Sequence, residues 1–84
     1  MPLTVRFFAA ARAAAGVDEL SIDLPDTGVT LGDLEHLLQS AHPALTTVLP
    51  RCSYLRDEIA VSDRARLITP DVRVVDVLPP FAGG

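Results

Sequence analysis

One long amphipathic helix is written into the middle of this chain, and every other ordered stretch must fold so as to bury its apolar face. Thr30-Leu31-Gly32-Asp33 approximates a capping box, with a hydroxyl for an early backbone N–H and a carboxylate near the positive helix end. Leu31, Leu34, Leu37, Leu38 and Ala41 then recur at steps of three and four, which predicts a single apolar stripe packed in a core. Pro43 stops the helix. Leu45, Val48 and Leu49 continue a helical spacing for about one turn until Pro50.

The flanking segments read as strands. Leu3, Val5 and Phe7 alternate with Thr4, Arg6 and Phe8, and Leu20, Ile22 and Leu24 alternate with Glu19, Ser21 and Asp23. Between these runs, Ala9 to Ala15 is alanine throughout except for Arg12. That is strong helix material, closed by Gly16 and too short to stay helical without packing on something. Pro25-Asp26-Thr27-Gly28 ends the second strand in a turn. Beyond the long helix, Cys52 to Arg56 and Glu58 to Val61 are short strand candidates around a charged turn at Asp57, and Leu67-Ile68 is another. Thr69-Pro70-Asp71 marks a turn before Val72 to Leu78, the most β-prone run. The order predicts an α+β fold, a mixed sheet packed on one main helix plus short helices. Residues 1–78 read as one domain and residues 79–84 as an extended tail.

Composition narrows the function. In 84 residues, 49% are apolar and 21% charged, a globular balance. So short a chain leaves little material for a deep cleft, so a self-contained enzyme is not expected. Cys52 is the single cysteine, which excludes an intramolecular disulfide and a cysteine-built zinc site; no metal site is expected. The seven cations, all arginine, face eleven acids, for a net charge of −4. No basic cluster is available to neutralise phosphates, so nucleic acid is not an expected partner. No run approaches about eighteen apolar residues, and no membrane partner is expected. Met1-Pro2-Leu3-Thr4-Val5-Arg6 lacks a basic stretch ahead of an apolar one, which points to a cytoplasmic location. Without lysine, no side-chain amine can form a Schiff base or accept an acyl group.

The final residues, Pro79-Pro80-Phe81-Ala82-Gly83-Gly84, carry the strongest functional signal. The two prolines stiffen the exit from the sheet. Six extended residues reach about 20 Å. Two glycines let the backbone enter a channel too narrow for a side chain. A carboxyl group on Gly84 is an anion at neutral pH and a poor electrophile, useful only after another protein activates it with ATP. The tail reads as a chemical group on a thin stalk, offered to a foreign active site.

Phe7-Phe8-Ala9-x-x-Arg12-x-x-x-Gly16 near the start, with Leu78-Pro79-Pro80-Phe81-Ala82-Gly83-Gly84 at the end, resembles the small-subunit family of molybdopterin synthase. That family lies within the MoaD/ThiS group of sulfur carriers with the ubiquitin-like β-grasp fold. The resemblance implies that Gly84 is adenylated by a ubiquitin-activating-like adenylyltransferase, which consumes ATP, and is then converted to a thiocarboxylate. It implies no cofactor bound by the chain itself. In the molybdopterin branch, two carriers flank a dimer of the large subunit of molybdopterin synthase, and the tail donates sulfur to a pyranopterin precursor. Two turns depart from the family pattern. Pro70-Asp71-Val72 replaces an acidic-Gly turn, and Arg56-Asp57 stands where an Asn is common. Both bear on loop shape and partner fit.

Strand parity places Phe8 opposite Leu3, Val5 and Phe7, and places Val74, Asp76 and Leu78 opposite Val75 and Val77. With the first and last strands as neighbours, Phe8 and Leu78 meet beneath the tail, on a face left free for a partner. Cys52 reads as a packing residue, His36 and His42 as solvated or capping residues, and Asp57, Glu58 and Asp63 as turn residues. Arg12 fits a helix-surface role or a partner contact. Other readings of the same tail are a carrier for thiamine thiazole or cysteine synthesis, a ubiquitin-like modifier, and a β-grasp interaction module without chemistry.

Overall fold

The computed structural model describes residues 2–80. Strand β1 (Pro2–Phe7) leads into helix α1 (Ala9–Ala15) and returns as β2 (Glu19–Asp23). A two-residue strand β3 (Val29–Thr30) precedes helix α2 (Leu31–Ala41), and two 3₁₀ segments, Pro43–Thr47 and Leu49–Arg51, carry the chain back to the sheet. Strands β4 (Ser53–Arg56), β5 (Ile59–Val61), β6 (Leu67–Ile68) and β7 (Val74–Leu78) complete it. The main sheet has the order β2-β1-β7-β4-β5, and β3 and β6 form a second, two-stranded sheet. Among the described residues, only β1 and β7 pair in parallel, with Thr4 opposite Val74 and Phe7 opposite Val77. The first and last strands are therefore central neighbours, as expected of a β-grasp.

Alternation sorts the sheet into a buried and an open face. Leu3, Val5, Phe7, Tyr54, Val75 and Val77 pack with Leu31, Leu34 and Leu38 of α2. Each of these leucines contributes roughly 1.5–3 kcal/mol by leaving water. Thr30 caps α2 as expected, its hydroxyl accepting the Asp33 N–H at 3.0 Å. The apolar stripe is narrower than its spacing suggests. Leu37 is 46% exposed and Ala41 is exposed too. At 3.6 residues per turn, Leu37 lies roughly 90° around the helix from the line through Leu31, Leu34 and Leu38. Glu35 lies roughly 70° to the other side of that line and is buried.

The turns explain themselves locally. Gly16, at φ 77°, ends α1 in the left-handed conformation, and its N–H donates to the Arg12 carbonyl. Gly28 has φ 74°, and a Cβ there would stand 2.5 Å from the Ile68 carbonyl oxygen. Only glycine lets that turn approach β6. Pro50 does not end the helical spacing; it occupies an early position of the second 3₁₀ segment, where a missing N–H costs nothing. The β4–β5 turn puts Asp57 and Glu58 at φ 45° and 71°. The Asp57 carboxylate accepts the N–H groups of Arg73 and Val74, tying this hairpin to the start of β7. The departure from the family's Asn is thereby accounted for: a short polar side chain tolerates the left-handed region and captures backbone donors.

Candidate functional site

The site is the end of β7 and what surrounds it. β7 lies between β1 and β4, with Val75, Asp76 and Val77 all buried, so the chain leaves the sheet from its central strand. It ends at Leu78, opposite Ser53. Pro79 follows half-buried and Pro80 exposed. Neither proline has an N–H, and strand pairing stops there. Phe81, Ala82, Gly83 and Gly84, the expected sulfur-bearing end, lie outside the described residues.

Phe8 is not a strand residue. β1 ends at Phe7, and Phe8 is the extended N-cap of α1, 40% exposed. Its N–H donates to the Val77 carbonyl at 3.3 Å, continuing the β1–β7 register by one step and bringing Phe8 level with Leu78. The expected meeting of these residues at the tail's root is thus present in the backbone. Leu78 is half-buried.

Arg6 and Asp76 are site residues that parity alone did not single out. Asp76 is on the open face as expected, yet only 5% exposed. Arg6 donates to it twice, Nε to Oδ1 at 2.6 Å and Nη2 to Oδ2 at 2.9 Å, and its guanidinium lies 5.8 Å from the centre of the Phe8 ring. One arginine therefore neutralises the acid and braces the exposed aromatic ring. The signal was available only through register: Arg6 pairs with Asp76 once β1 and β7 are known to be parallel. Arg12 lies on the α1 surface, with Asp18 at 3.7 Å. His42 caps the end of α2 and His36 is exposed. Cys52 is half-buried, its thiol donating to the Val48 carbonyl at 3.3 Å. Burial first, and then the charge of Glu35, pushes that thiol's pKa up.

A shallow groove of about 340 Å³ flanks the root, lined by Ala10, Thr47, Val48, Arg51, Pro79 and Pro80. Among the described residues, its lining holds no carboxylate or imidazole. Among the described residues, no group of three or more His, Cys, Asp or Glu side chains is placed to hold a metal ion. What the described site can do is hold and aim the tail.

A mixed five-stranded sheet wrapped on one capped helix, with parallel first and last strands, defines the β-grasp, ubiquitin-like class. Within that class the chain belongs to the ThiS family, whose model matches residues 5–84. It is 33% identical over 84 residues to the molybdopterin synthase sulfur carrier subunit of Chlamydomonas reinhardtii, spanning 100% of both chains. SAMP1 of Haloferax volcanii shares the fold with a TM-score of 0.82 at 24% identity, over 100% of each chain. A chain from the complex of subunits 1 and 2 of molybdopterin-converting factor of Helicobacter pylori does so with a TM-score of 0.69 at 23% identity, again over 100% of each.

Proposed function

We propose that this chain is the sulfur carrier of a molybdopterin synthase and that Gly84 bears the sulfur. The observation that carries the reading is the end-to-end 33% identity to a molybdopterin synthase sulfur carrier subunit. The central strand that runs into Pro79-Pro80 supports it, because a stalk must be anchored where the sheet does not give. In the cytoplasm, a ubiquitin-activating-like partner supplies ATP and the catalytic groups. A carboxylate oxygen of Gly84 attacks the α-phosphorus of ATP, pyrophosphate leaves, and an acyl adenylate forms. Hydrosulfide from a sulfur donor then attacks the acyl carbon, the C–S bond forms as the C–O bond to AMP breaks, AMP leaves with the electron pair, and the resulting thiocarboxylate is the group delivered to the pyranopterin precursor. The Helicobacter pylori complex supports a large subunit as the receiving partner. Acid–base and oxyanion groups come from the partners, and the carrier contributes a positioned reactant, which can lower a barrier by roughly 7–11 kcal/mol. Phe8 and Leu78, with Arg6 behind the ring, form the surface by which partners grip the root. Phe8→Ala or Leu78→Ala is expected to weaken binding to the large subunit with an unchanged circular dichroism spectrum.

Intact-mass analysis after incubation with ATP, a sulfur source and a candidate activating enzyme tests the chemistry. An oxygen-to-sulfur exchange confined to the C-terminal peptide is expected. No exchange, with an enzyme that loads its own carrier, would remove the reading. A ladder of conjugates on other proteins would reassign the chain as a modifier, and sulfur delivered only to a thiazole would reassign the branch.

A further inference from the structure

Residues on the open face of a sheet are neighbours across strands as well as along them. The pairings align Glu19 of β2 with Arg6 of β1, Arg6 with Asp76 of β7, Asp76 with Leu55 of β4, and Leu55 with Ala60 of β5. These five residues make one row across the face opposite α2. The adjacent row holds Phe8, Leu78 and Ser53. A partner that grips Phe8 and Leu78 therefore passes over Arg6 and Asp76. That pair is a poor device for stability, because a buried carboxylate gives up its hydration, and apolar replacement of such pairs is often neutral or stabilising. It is a good device for fixing a guanidinium. Asp76 takes two of the five N–H donors, on Nε and Nη2, which leaves three. The bidentate contact sets the plane of the group, and the Arg6 side chain stays 45% exposed, so the remaining donors are within reach of a docked surface.

We propose that Arg6, held in place by Asp76, determines the specificity of this face, and that the large subunit seats a backbone carbonyl oxygen on its remaining N–H donors. The assignment rests on the carrier reading above and deepens it. Asp76 is a positioning residue, acting through Arg6. The acceptor is a neutral one because the surroundings are already acidic. Asp76 pairs with the guanidinium, and Glu19 and Glu58 add their negative fields. Asp57 and Arg73, in the adjoining hollow, offset each other in charge. A carboxylate from the partner would be a fourth negative charge around one cation, whereas a carbonyl takes the same donors without that repulsion. The hollow itself, about 330 Å³ and lined also by Glu58 and Val74, leaves room for a backbone segment to approach the pair. A surface that covered this row with apolar groups alone would strand the donors without acceptors, and discrimination between partners follows from that loss.

Calorimetric titration of the cognate large subunit tests the assignment, with the full chain as wild type, Arg6→Lys, Asp76→Ala and the double variant Arg6→Leu with Asp76→Ala. Each is measured at about 0.05 M and about 0.5 M sodium chloride, with a circular dichroism melt beside it. Arg6→Lys keeps the charge but loses the fork, and Asp76→Ala keeps the arginine but frees it. Each is expected to weaken binding about tenfold. The double variant should melt close to the wild type and bind at least about tenfold more weakly, by a factor that changes little between the two salt concentrations. Wild-type affinity in the double variant would reduce the pair to a structural role and overturn the assignment. Wild-type affinity in Arg6→Lys would do the same, and that variant leaves Asp76 a cationic partner should the double variant fail to fold. A loss that vanishes at high salt would mark a partner carboxylate and overturn the carbonyl. A wild type that does not bind would overturn the carrier reading along with the assignment. A wild type that binds no better than its variants would overturn the assignment alone.

Discussion

Tyr54 and Glu35 meet at 2.6 Å beneath α2, the phenol donating to Oε2 while Arg64 Nε approaches Oε1 at 2.9 Å. Glu35 is a carboxylate on the buried side of the helix, and its two partners come from β4 and from the turn before β6. Burial first, then the hydrogen bond to Glu35 and its charge, holds the Tyr54 pKa well above the ordinary tyrosine range. The sign follows. A raised folded pKa contributes stability that is complete below the unfolded value of about 10 and is lost as pH rises beyond it. Because the chain has one tyrosine and no tryptophan, phenolate absorbance reports this group alone. In an alkaline titration that absorbance is expected to appear together with loss of far-ultraviolet circular dichroism, not as a separate step near pH 10. Glu58 gives the opposite kind of prediction. Held at φ 71° without being glycine, it is strained, and Glu58→Gly should stabilise the fold by roughly 1 kcal/mol in urea unfolding.

The elements differ in how openly they announced themselves. α2 was legible from its cap to its stop, since Thr30, Asp33 and Pro43 act through neighbouring backbone. Its buried face was not, because Leu34, Glu35, Leu37 and Leu38 fit more than one stripe and only the packed sheet chooses among them. The consequence is measurable. Leu38→Ala should cost roughly 2–5 kcal/mol, and Leu37→Ala should stay within about 0.5 kcal/mol, in parallel denaturant melts. The pair β3 and β6 went half unread: Leu67-Ile68 looked like a strand, but Val29-Thr30 is two residues long and owes its strand geometry to Ile68 and Leu67 opposite. At the candidate site, Leu78 and the two prolines were readable in order along the chain. The Arg6–Asp76–Phe8 ridge was not, because Asp76 lies 70 residues from Arg6 and is joined to it only through the parallel register.

For the molecule as a whole, stability and function reside in different places. The core lies between α2 and the sheet, while the proposed chemistry needs only the tail beyond β7. Deleting Gly84 is therefore expected to abolish sulfur transfer and leave the melting temperature within about 1 °C, as the core cluster of the described residues runs from Leu3 to Val77. A thermal melt and a transfer assay on the same sample check both halves. Local covalent character set the alternation of the strands, the cap of α2 and the stops at proline and glycine; each follows from interactions within a few residues. Tertiary structure alone decided that β1 lies parallel beside β7, that Glu35 is buried and Leu37 is not, and that Arg6 holds Asp76 beneath Phe8. Those outcomes depend on which distant surfaces exclude water from one another, and no pattern confined to a few residues contains that information.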